Sequence, residues 1–171
     1  MNRTGTLTVS TPGDREVQMV RVFAAPRRLV FAALSQAELL KRWFSGPPGW
    51  SLQTCEIDAR AGGRYRYVWH NSASGEVMGM SGEILEYVAP ERMVSSERFD
   101  QAWYEGDAIS SIVLSEAAGQ TTLTLTVRYA SQEVRDAVMK FPMAAGVEMG
   151  YDRLAAWLAT DEAGAALADL G

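Results

Sequence analysis

The sequence predicts an α+β fold in which a curved antiparallel sheet wraps around a long C-terminal helix. A strand at 20–26 leads directly into two short amphipathic segments, 27–34 and 37–43. Strand-length segments separated by turn residues then fill 51–129, and a helical pattern closes the chain at 143–158. This order favours a sheet that holds a single helix and leaves a cavity between the two.

The two short helices lie between the first and second strands of this prediction. Pro26 suits the first helical position, because its missing N–H has no helical partner to lose there. Ser35 and Glu38 have the spacing of a capping box, which predicts the start of the second helix. That helix ends before 45–49, a run of Ser, Gly and Pro that cannot continue it.

Six further strands are predicted after the helix pair. Clusters of Gly, Ala, Asn, Ser and Pro separate them, and most of the gaps are short enough for a hairpin. Consecutive hairpins produce an antiparallel meander. The predicted strands are 51–58, 63–70, 76–88, 92–99, 107–116 and 121–129.

The closing helical region begins near Ser131, a residue type favoured at helix N-caps. Pro142 interrupts this region, because proline lacks a backbone N–H and clashes with the preceding turn. The longer helix follows from 143 to 158, with apolar residues at helical spacing.

A chain of 171 residues is predicted to form one domain with a sizeable core. We expect that domain to occupy 14–159. Residues 1–13 are expected to be a flexible N-terminal arm with at most a short strand at Leu7–Ser10. Residues 160–171 are expected to be an Ala-rich, frayed C-terminal tail.

Composition and charge exclude several classes of function. The net charge of −5 and the pI near 4.9 argue against a nucleic-acid partner. His70 and Cys55 are the only residues of their types, so no zinc site, no disulfide and no cofactor is predicted. The sequence has neither the apolar segment of a signal peptide nor an apolar run long enough to span a membrane, and a cytoplasmic location is therefore expected.

Five separate blocks of the chain resemble one known family and occur in the family's order. The blocks are DREVQMVRVFAAPRRLVFAAL at 14–34, KRW at 41–43, CEIDARAGGRYRYVW at 55–69, APERMV at 89–94 and GVEMGYDRL at 146–154. They resemble the bacterial members of the activator of heat-shock-90 chaperone ATPase homologue-like family, part of the START-related, helix-grip (SRPBCC) superfamily. The resemblance implies the helix-grip fold. It implies no particular reaction, because the members share a cavity and not a chemistry.

An aromatic and methionine stripe is the strongest candidate for a ligand site. Strand alternation puts Tyr65, Tyr67 and Trp69 on one face, and an odd register would place Met78 and Met80 beside them. Such side chains line either a pocket with adaptable walls or a solid core. The full predicted lining is Trp43, Tyr65, Tyr67, Trp69, Met78, Met80, Phe99, Trp103, Met143 and Val147.

No catalytic residue is predicted. His70 stands beside a polar turn, and Asp58 and Arg60 match a D-x-R-x-G-G block of the family and are interpreted as an ion pair that fixes a turn. Glu83 and Glu86 are expected on opposite faces of one strand. An acid or base deep in the cavity with a shifted pKa would distinguish an enzyme from a binding protein.

Three functions follow, in this order. The first is binding of a small apolar or aromatic, lipid- or polyketide-like molecule. The second is a stress-related, co-chaperone-like role through contact with a chaperone or another protein, and the third is a cyclase or aromatase activity. A monomer or a homodimer is expected. Ligand entry is predicted between 141–143 and the aromatic loop 100–106.

Overall fold

The computed structural model describes residues 5–170 and places eight strands and five helices in them. The strands are β1 Thr8–Ser10, β2 Glu16–Phe23, β3 Trp50–Ile57, β4 Arg64–Asn71, β5 Val77–Val88, β6 Arg92–Phe99, β7 Ala108–Ala117 and β8 Gln120–Arg128. The helices are α1 Arg27–Ser35, α2 Ala37–Leu40, α3 Gln132–Val138, α4 Met143–Leu158 and α5 Asp161–Asp169. None of these helices is long and apolar enough to cross a membrane.

All eight strands form one antiparallel sheet in the order β1-β2-β8-β7-β6-β5-β4-β3. β3 to β8 are a meander of consecutive hairpins, and β2 pairs with β8 at the far side of it. The helix pair between β2 and β3 therefore connects strands near opposite edges of the sheet. The predicted α+β helix-grip architecture is confirmed, with α1 and α2 between the first long strand and the next.

The core lies on the concave face of the sheet, under α1, α2 and α4. Alternate residues of β2 show this face clearly, because Val17, Met19, Arg21 and Phe23 are all buried. α4 turns Tyr151, Leu154 and Trp157 towards it.

Two contacts hold α4 in place. The Arg21 guanidinium donates a hydrogen bond from Nη1 to Asp152 Oδ1 at 2.7 Å, and its side chain is only 3% exposed whereas that of Asp152 is 62% exposed. Further along α4, the Arg153 guanidinium donates to the carbonyl of Gly46 in the loop after α2.

The predicted capping box at the start of the second helix is wrong. Ser35 is the last residue of α1, and its hydroxyl donates to the carbonyl of Phe31 at 2.8 Å. A serine inside a helix commonly bonds back to the carbonyl four residues earlier, and that bond removes it as a cap. Gln36 occupies the N-cap position of α2 and gives it no side-chain hydrogen bond.

Regular structure occurs near both ends of residues 5–170, a short strand in the predicted arm and a helix in the predicted tail. β1, within the predicted arm, pairs with β2, while residues 1–4 of that arm lie outside the described part of the chain. α5, within the predicted tail, starts at a Thr160 hydroxyl that accepts from the amide of Ala163 at 3.2 Å. It packs on the domain because Ala163 is fully buried and Glu162 pairs with Arg42 at 2.8 Å.

Candidate ligand-binding site

The aromatic stripe of β4 faces the interior. Tyr65, Tyr67 and Trp69 are all buried, as strand alternation predicts. The register places Met80 opposite Tyr67 and Met78 opposite Trp69, which is the pairing that brings the methionines beside the aromatic rings. Sequence analysis could name this pairing but could not choose it, since a one-residue slip would move both methionines to the other face.

At the β4 end, the interior is a dense aromatic cluster. The Phe44 ring lies 5.4 Å from the Tyr67 ring and 5.1 Å from the Trp69 ring, both edge to face. The Trp69 indole N–H donates to the Phe44 carbonyl at 2.9 Å, and that of Trp43 donates to the Ala33 carbonyl at 2.9 Å. Backbone carbonyls therefore satisfy these buried indoles, and no pocket water or ligand is needed for them.

A second aromatic cluster joins the loop between β6 and β7 to the α3–α4 junction. Trp103 contacts Phe141 with ring centroids 5.3 Å apart, and both side chains are substantially exposed, at 36% and 53%. Tyr104 stacks edge to face on Tyr129 at 5.3 Å, and the Tyr129 hydroxyl donates to the Met143 sulfur at 3.3 Å. The two segments predicted to flank ligand entry therefore touch each other.

Glu97 is the functional candidate that sequence reasoning missed. It lies on β6, and the Tyr104 hydroxyl donates to its Oε1 at 3.1 Å. No lysine, arginine or histidine forms an ion pair with Glu97 among residues 5–170. Burial raises the pKa of this carboxyl, and the hydrogen bond from Tyr104 only partly opposes that rise.

The influence of Glu97 extends to three tyrosines. The pKa values of Tyr65, Tyr104 and Tyr129 are raised mainly by burial and further by the nearby Glu97 charge. The Tyr65 hydroxyl donates to the Ser96 carbonyl at 2.6 Å, next to Glu97 on β6. A carboxyl and three phenols thus gather at one place in the interior, and the three phenol hydroxyls donate to Ser96, Glu97 and Met143.

Strand alternation was the signal that could have found Glu97. The strand 92–99 and the inward position of Phe99 were both predicted, and Glu97 lies two residues before Phe99 on the same strand. Residues at that spacing share a face of the sheet.

The middle of the concave face is covered less completely than its ends. Five inward residues on three adjacent strands are only half-buried. The inward residues that flank them along each strand are buried, except Phe99 after Glu97 on β6, which is also half-buried. The pairs Ser95–Ser110 and Ile112–Leu125 stand in register, so the half-buried set is contiguous. The half-buried set is Ser95, Glu97, Ser110, Ile112 and Leu125, and the buried set is Met93, Ala108, Leu114, Leu123 and Val127.

Two clefts open on the outside of the protein. One, of about 320 Å³, lies along residues 98–107 and is lined by Phe99, Trp103 and Tyr104 among others. The other, of about 370 Å³, is lined by Tyr65, Gly82 and neighbouring polar residues. Neither cleft is lined by a residue of α4, so these two are distinct from the predicted space between α4 and the sheet.

Other candidate groups have structural roles. Arg60 Nε and Asp58 Oδ2 form the predicted ion pair at 2.9 Å. Burial raises the pKa of the Cys55 thiol, which disfavours the nucleophilic thiolate. Within residues 5–170, no group of three or more His, Cys, Asp or Glu side chains could hold a metal ion.

The curved antiparallel sheet and the long helix α4 that packs on its concave face define a helix-grip protein of the START-related class. The chain belongs to the family described as Activator of Hsp90 ATPase homolog 1-like protein, whose family model matches residues 24–159.

Solved structures agree with this assignment. A protein from Rhodobacter sphaeroides is 30% identical, with a TM-score of 0.84 over 90% of this chain and 97% of its own. Protein Ms6760 from Mycobacterium smegmatis is 23% identical, with a TM-score of 0.78 over 91% of this chain and 99% of its own. An HSP90 activator from Plasmodium falciparum is 21% identical, with a TM-score of 0.52 over 67% of this chain and 72% of its own, and shares the fold. No curated protein matches the chain.

Proposed function

We propose that the protein binds a small, largely apolar or aromatic molecule, lipid-like or polyketide-like, between the concave face of the sheet and α4. The observation that carries this proposal is the contiguous half-buried set at the middle of the concave face. Inward residues with fully buried neighbours retain accessible surface only where the helix above leaves space. Pockets for small molecules combine such apolar walls with a few polar groups, as Ile112, Leu125 and Glu97 would here.

The predicted lining residues divide between walls and supports in this proposal. Phe99, Met143 and Val147 are half-buried and belong to the wall near Glu97. Trp43, Tyr67, Trp69, Met78 and Met80 support the wall from the aromatic end, and Tyr65 lies between the two groups. Trp103 covers the entrance.

The binding test uses the neutral aromatic probe 2-naphthalenemethanol and NMR chemical-shift mapping. We expect saturable shifts at 95–97, 110–112 and 143–150, on both sides of the proposed space. Shifts confined to the outer clefts, or the absence of any saturable shift, would overturn the proposal.

A matched pair of variants on β7 sharpens the test. Ile112 points inward and is half-buried, whereas Val113 points outward and is 40% exposed. Ile112→Phe should fill the space and abolish probe binding without unfolding the protein, and Val113→Phe should bind as the parent does. If Ile112→Phe instead destabilises the fold as overpacking does, by about 1–3 kcal/mol, the interior is already full.

A co-chaperone-like role is the second candidate, and an exposed apolar pair favours it. Val88 and Val113 are 51% and 40% exposed and flank Arg92 in register on β5, β6 and β7. A stress-related contact with a chaperone would use this outer surface. The test is the ATPase rate of a purified bacterial Hsp90 with and without the protein. The role is supported if the protein stimulates the ATPase and if the double variant Val88→Ser, Val113→Ser loses that stimulation but still binds the probe. An ATPase rate that the protein leaves unchanged would overturn it.

Acid–base catalysis of the cyclase or aromatase type is the third candidate, and Glu97 is the observation that favours it. A buried carboxyl with a raised pKa is the group that such chemistry requires. Glu97→Gln should then retain affinity for a polyketide-like substrate and lose turnover. Turnover unaffected by that change would remove this candidate.

A further inference from the structure

Two ionisable side chains on the inward face of the sheet, Arg21 and Glu97, have very different partners. Arg21 is buried and has a carboxylate partner, Asp152, at 2.7 Å. Glu97 receives one neutral hydrogen bond from Tyr104 and has no cationic partner among the described residues. A desolvated carboxylate without a counter-charge is unfavourable, so Glu97 either holds a proton or awaits a cation from outside the chain.

The same carboxyl contacts one member of an aromatic cluster. Tyr104 contacts it directly, and the ring of Tyr104 lies 6.1 Å from that of Phe99, 5.0 Å from that of Trp103 and 5.3 Å from that of Tyr129. Ring faces attract cations, most strongly where water is excluded. A carboxyl among rings therefore favours a positively charged ligand group and disfavours a ligand carboxylate.

We propose that Glu97, with Tyr104 and Tyr129, receives a protonated amine of the ligand, whose apolar part lies against Ile112 and Leu125. This inference rests on the proposed binding function and adds the chemical class of the ligand, an apolar or aromatic amine. The amine would donate to Glu97 and occupy the space beside the two phenol rings. It supplies the counter-charge that residues 5–170 do not.

The inference predicts that amine binding is linked to proton release. Among the described residues, the titratable groups that interact with Glu97 are Tyr65 from β4, Tyr104 from the β6–β7 loop and Tyr129 just after β8. α4 packs the uncharged Met143 and Val147 on the cluster that contains Tyr129. Burial favours the protonated carboxyl in the free protein. An ammonium group favours the ionised carboxyl, so a proton leaves when the amine binds at a pH where Glu97 is protonated in the free protein. The affinity for the amine therefore increases with pH up to the pKa that Glu97 has in the free protein.

The experiment compares two probes of similar shape, 2-naphthylmethylamine and 2-naphthalenemethanol, by isothermal titration calorimetry at neutral pH. The parent should bind the amine about tenfold or more tightly than the alcohol. Glu97→Gln should remove that preference, mainly by weakening the binding of the amine. Glu105→Gln removes an exposed carboxylate of the same loop region and should keep the full preference. Titrations in two buffers of different ionisation enthalpy should show proton release with the amine in the parent and none in Glu97→Gln.

The outcomes separate the two proposals. Equal binding of amine and alcohol by the parent would overturn the amine inference and leave the binding function in place. A preference that survives Glu97→Gln would also overturn it, because another group would then recognise the amine. Failure of both probes to bind would overturn the binding function, and the amine inference with it.

Discussion

Burial of the Glu97 carboxyl should cost stability in the free protein. Its neighbours are phenols and apolar side chains, and its one hydrogen bond from Tyr104 does not offset the loss of water around the carboxyl. Buried acids of this kind are frequent at functional sites because binding or chemistry requires them there. The cost should be measurable in the free protein.

The stability of the parent protein should fall with increasing pH relative to Glu97→Gln. Burial raises the pKa of Glu97 above its ordinary value of 4.5, so the folded state keeps a proton that the unfolded state has already lost. The free energy of unfolding therefore decreases as pH rises through the window above that value, and glutamine removes this dependence. Urea denaturation at about pH 5 and about pH 8 measures it. Parallel pH profiles for the parent and Glu97→Gln would contradict the prediction, and Glu105→Gln should follow the parent.

A second prediction concerns Gly82, whose missing side chain leaves room for the Tyr65 ring and hydroxyl. A Cβ on Gly82 would lie 1.9 Å from the Ser96 carbonyl oxygen and 2.7 Å from the Tyr65 hydroxyl, which bond to each other. Gly82→Ala should destabilise the protein by about 2–3 kcal/mol, since backbone or tyrosine must move.

Gly146 is the matched control for that change. It lies in α4, and a Cβ there meets nothing within 4 Å. Gly146→Ala should raise the free energy of unfolding by up to about 1 kcal/mol through helix propensity alone. Urea denaturation of both variants measures the two changes in the free energy of unfolding. Similar changes for the two alanine variants would contradict the predicted steric clash at Gly82.

At the scale of elements, α4 depends on side-chain contacts that are unequal in burial. Arg21 is enclosed by the fold and lies 5.6 Å from the Phe23 ring centroid, whereas Asp152 is mostly in water. Loss of either partner breaks the same ion pair, but only one loss leaves a buried charge behind.

Asp152→Ala should therefore destabilise the protein more than Arg21→Met. Removal of Asp152 leaves the buried guanidinium without a counter-charge and should cost about 2–4 kcal/mol. Removal of Arg21 leaves an exposed aspartate that water solvates, and methionine fills much of the vacated volume, so the cost should be about 1 kcal/mol or less. Chemical denaturation of both variants measures the difference. A larger loss for Arg21→Met would mean that packing of the arginine stem, and not the charge pair, holds α4.

The contact between Trp103 and Phe141 should act as the entrance to the interior. The junction before α4 contains Pro142, and the regular helical hydrogen bonds are interrupted there. Amide hydrogen exchange should be faster at 139–144 than at 147–156 and should slow when 2-naphthalenemethanol is added. Trp103→Ala should weaken the change in tryptophan emission that the probe causes. Uniform protection across 134–156 that no bound probe alters would exclude an entrance here, and Trp103 would then only cap the core.

At the scale of the whole molecule, the concave face collects phenols from four parts of the chain. Burial is the main cause of the raised pKa values of Tyr65, Tyr67, Tyr104, Tyr129 and Tyr151. These residues come from β4, the β6–β7 loop, the end of β8 and α4. Because burial in the folded protein raises all five pKa values, the stability of the protein at alkaline pH depends on the whole fold.

The protein should lose stability cooperatively above about pH 10. The ordinary tyrosine pKa is 10.0, and each buried phenol keeps its proton to higher pH in the folded state than in the unfolded state. Unfolding is therefore favoured as pH increases above the ordinary value. Phenolate absorbance and far-ultraviolet circular dichroism should change together in an alkaline titration. Ionisation of most tyrosines before any loss of secondary structure would contradict this.

Much of the fold could be predicted because its signals are local. The alternation of Tyr65, Tyr67 and Trp69 determined which face of β4 is inward, and turn residues marked the hairpins of the meander. Pro142 marked the start of α4 for the same reason, since proline acts on the backbone within one turn. These features depend on neighbours in sequence, and the sequence alone determined them.

Only the tertiary structure decided the character of the interior. Phe44 packs against Tyr67 and Trp69 in the aromatic cluster. Arg21 pairs with Asp152, 131 positions away in the sequence, and Tyr65 donates to the Ser96 carbonyl, 31 positions away. Glu97 could be placed on the inward face by alternation, but alternation cannot show that Glu97 forms no ion pair with any of residues 5–170. Burial and charge balance depend on every element packed around a group, and that packing exists only once the sheet has closed over α4.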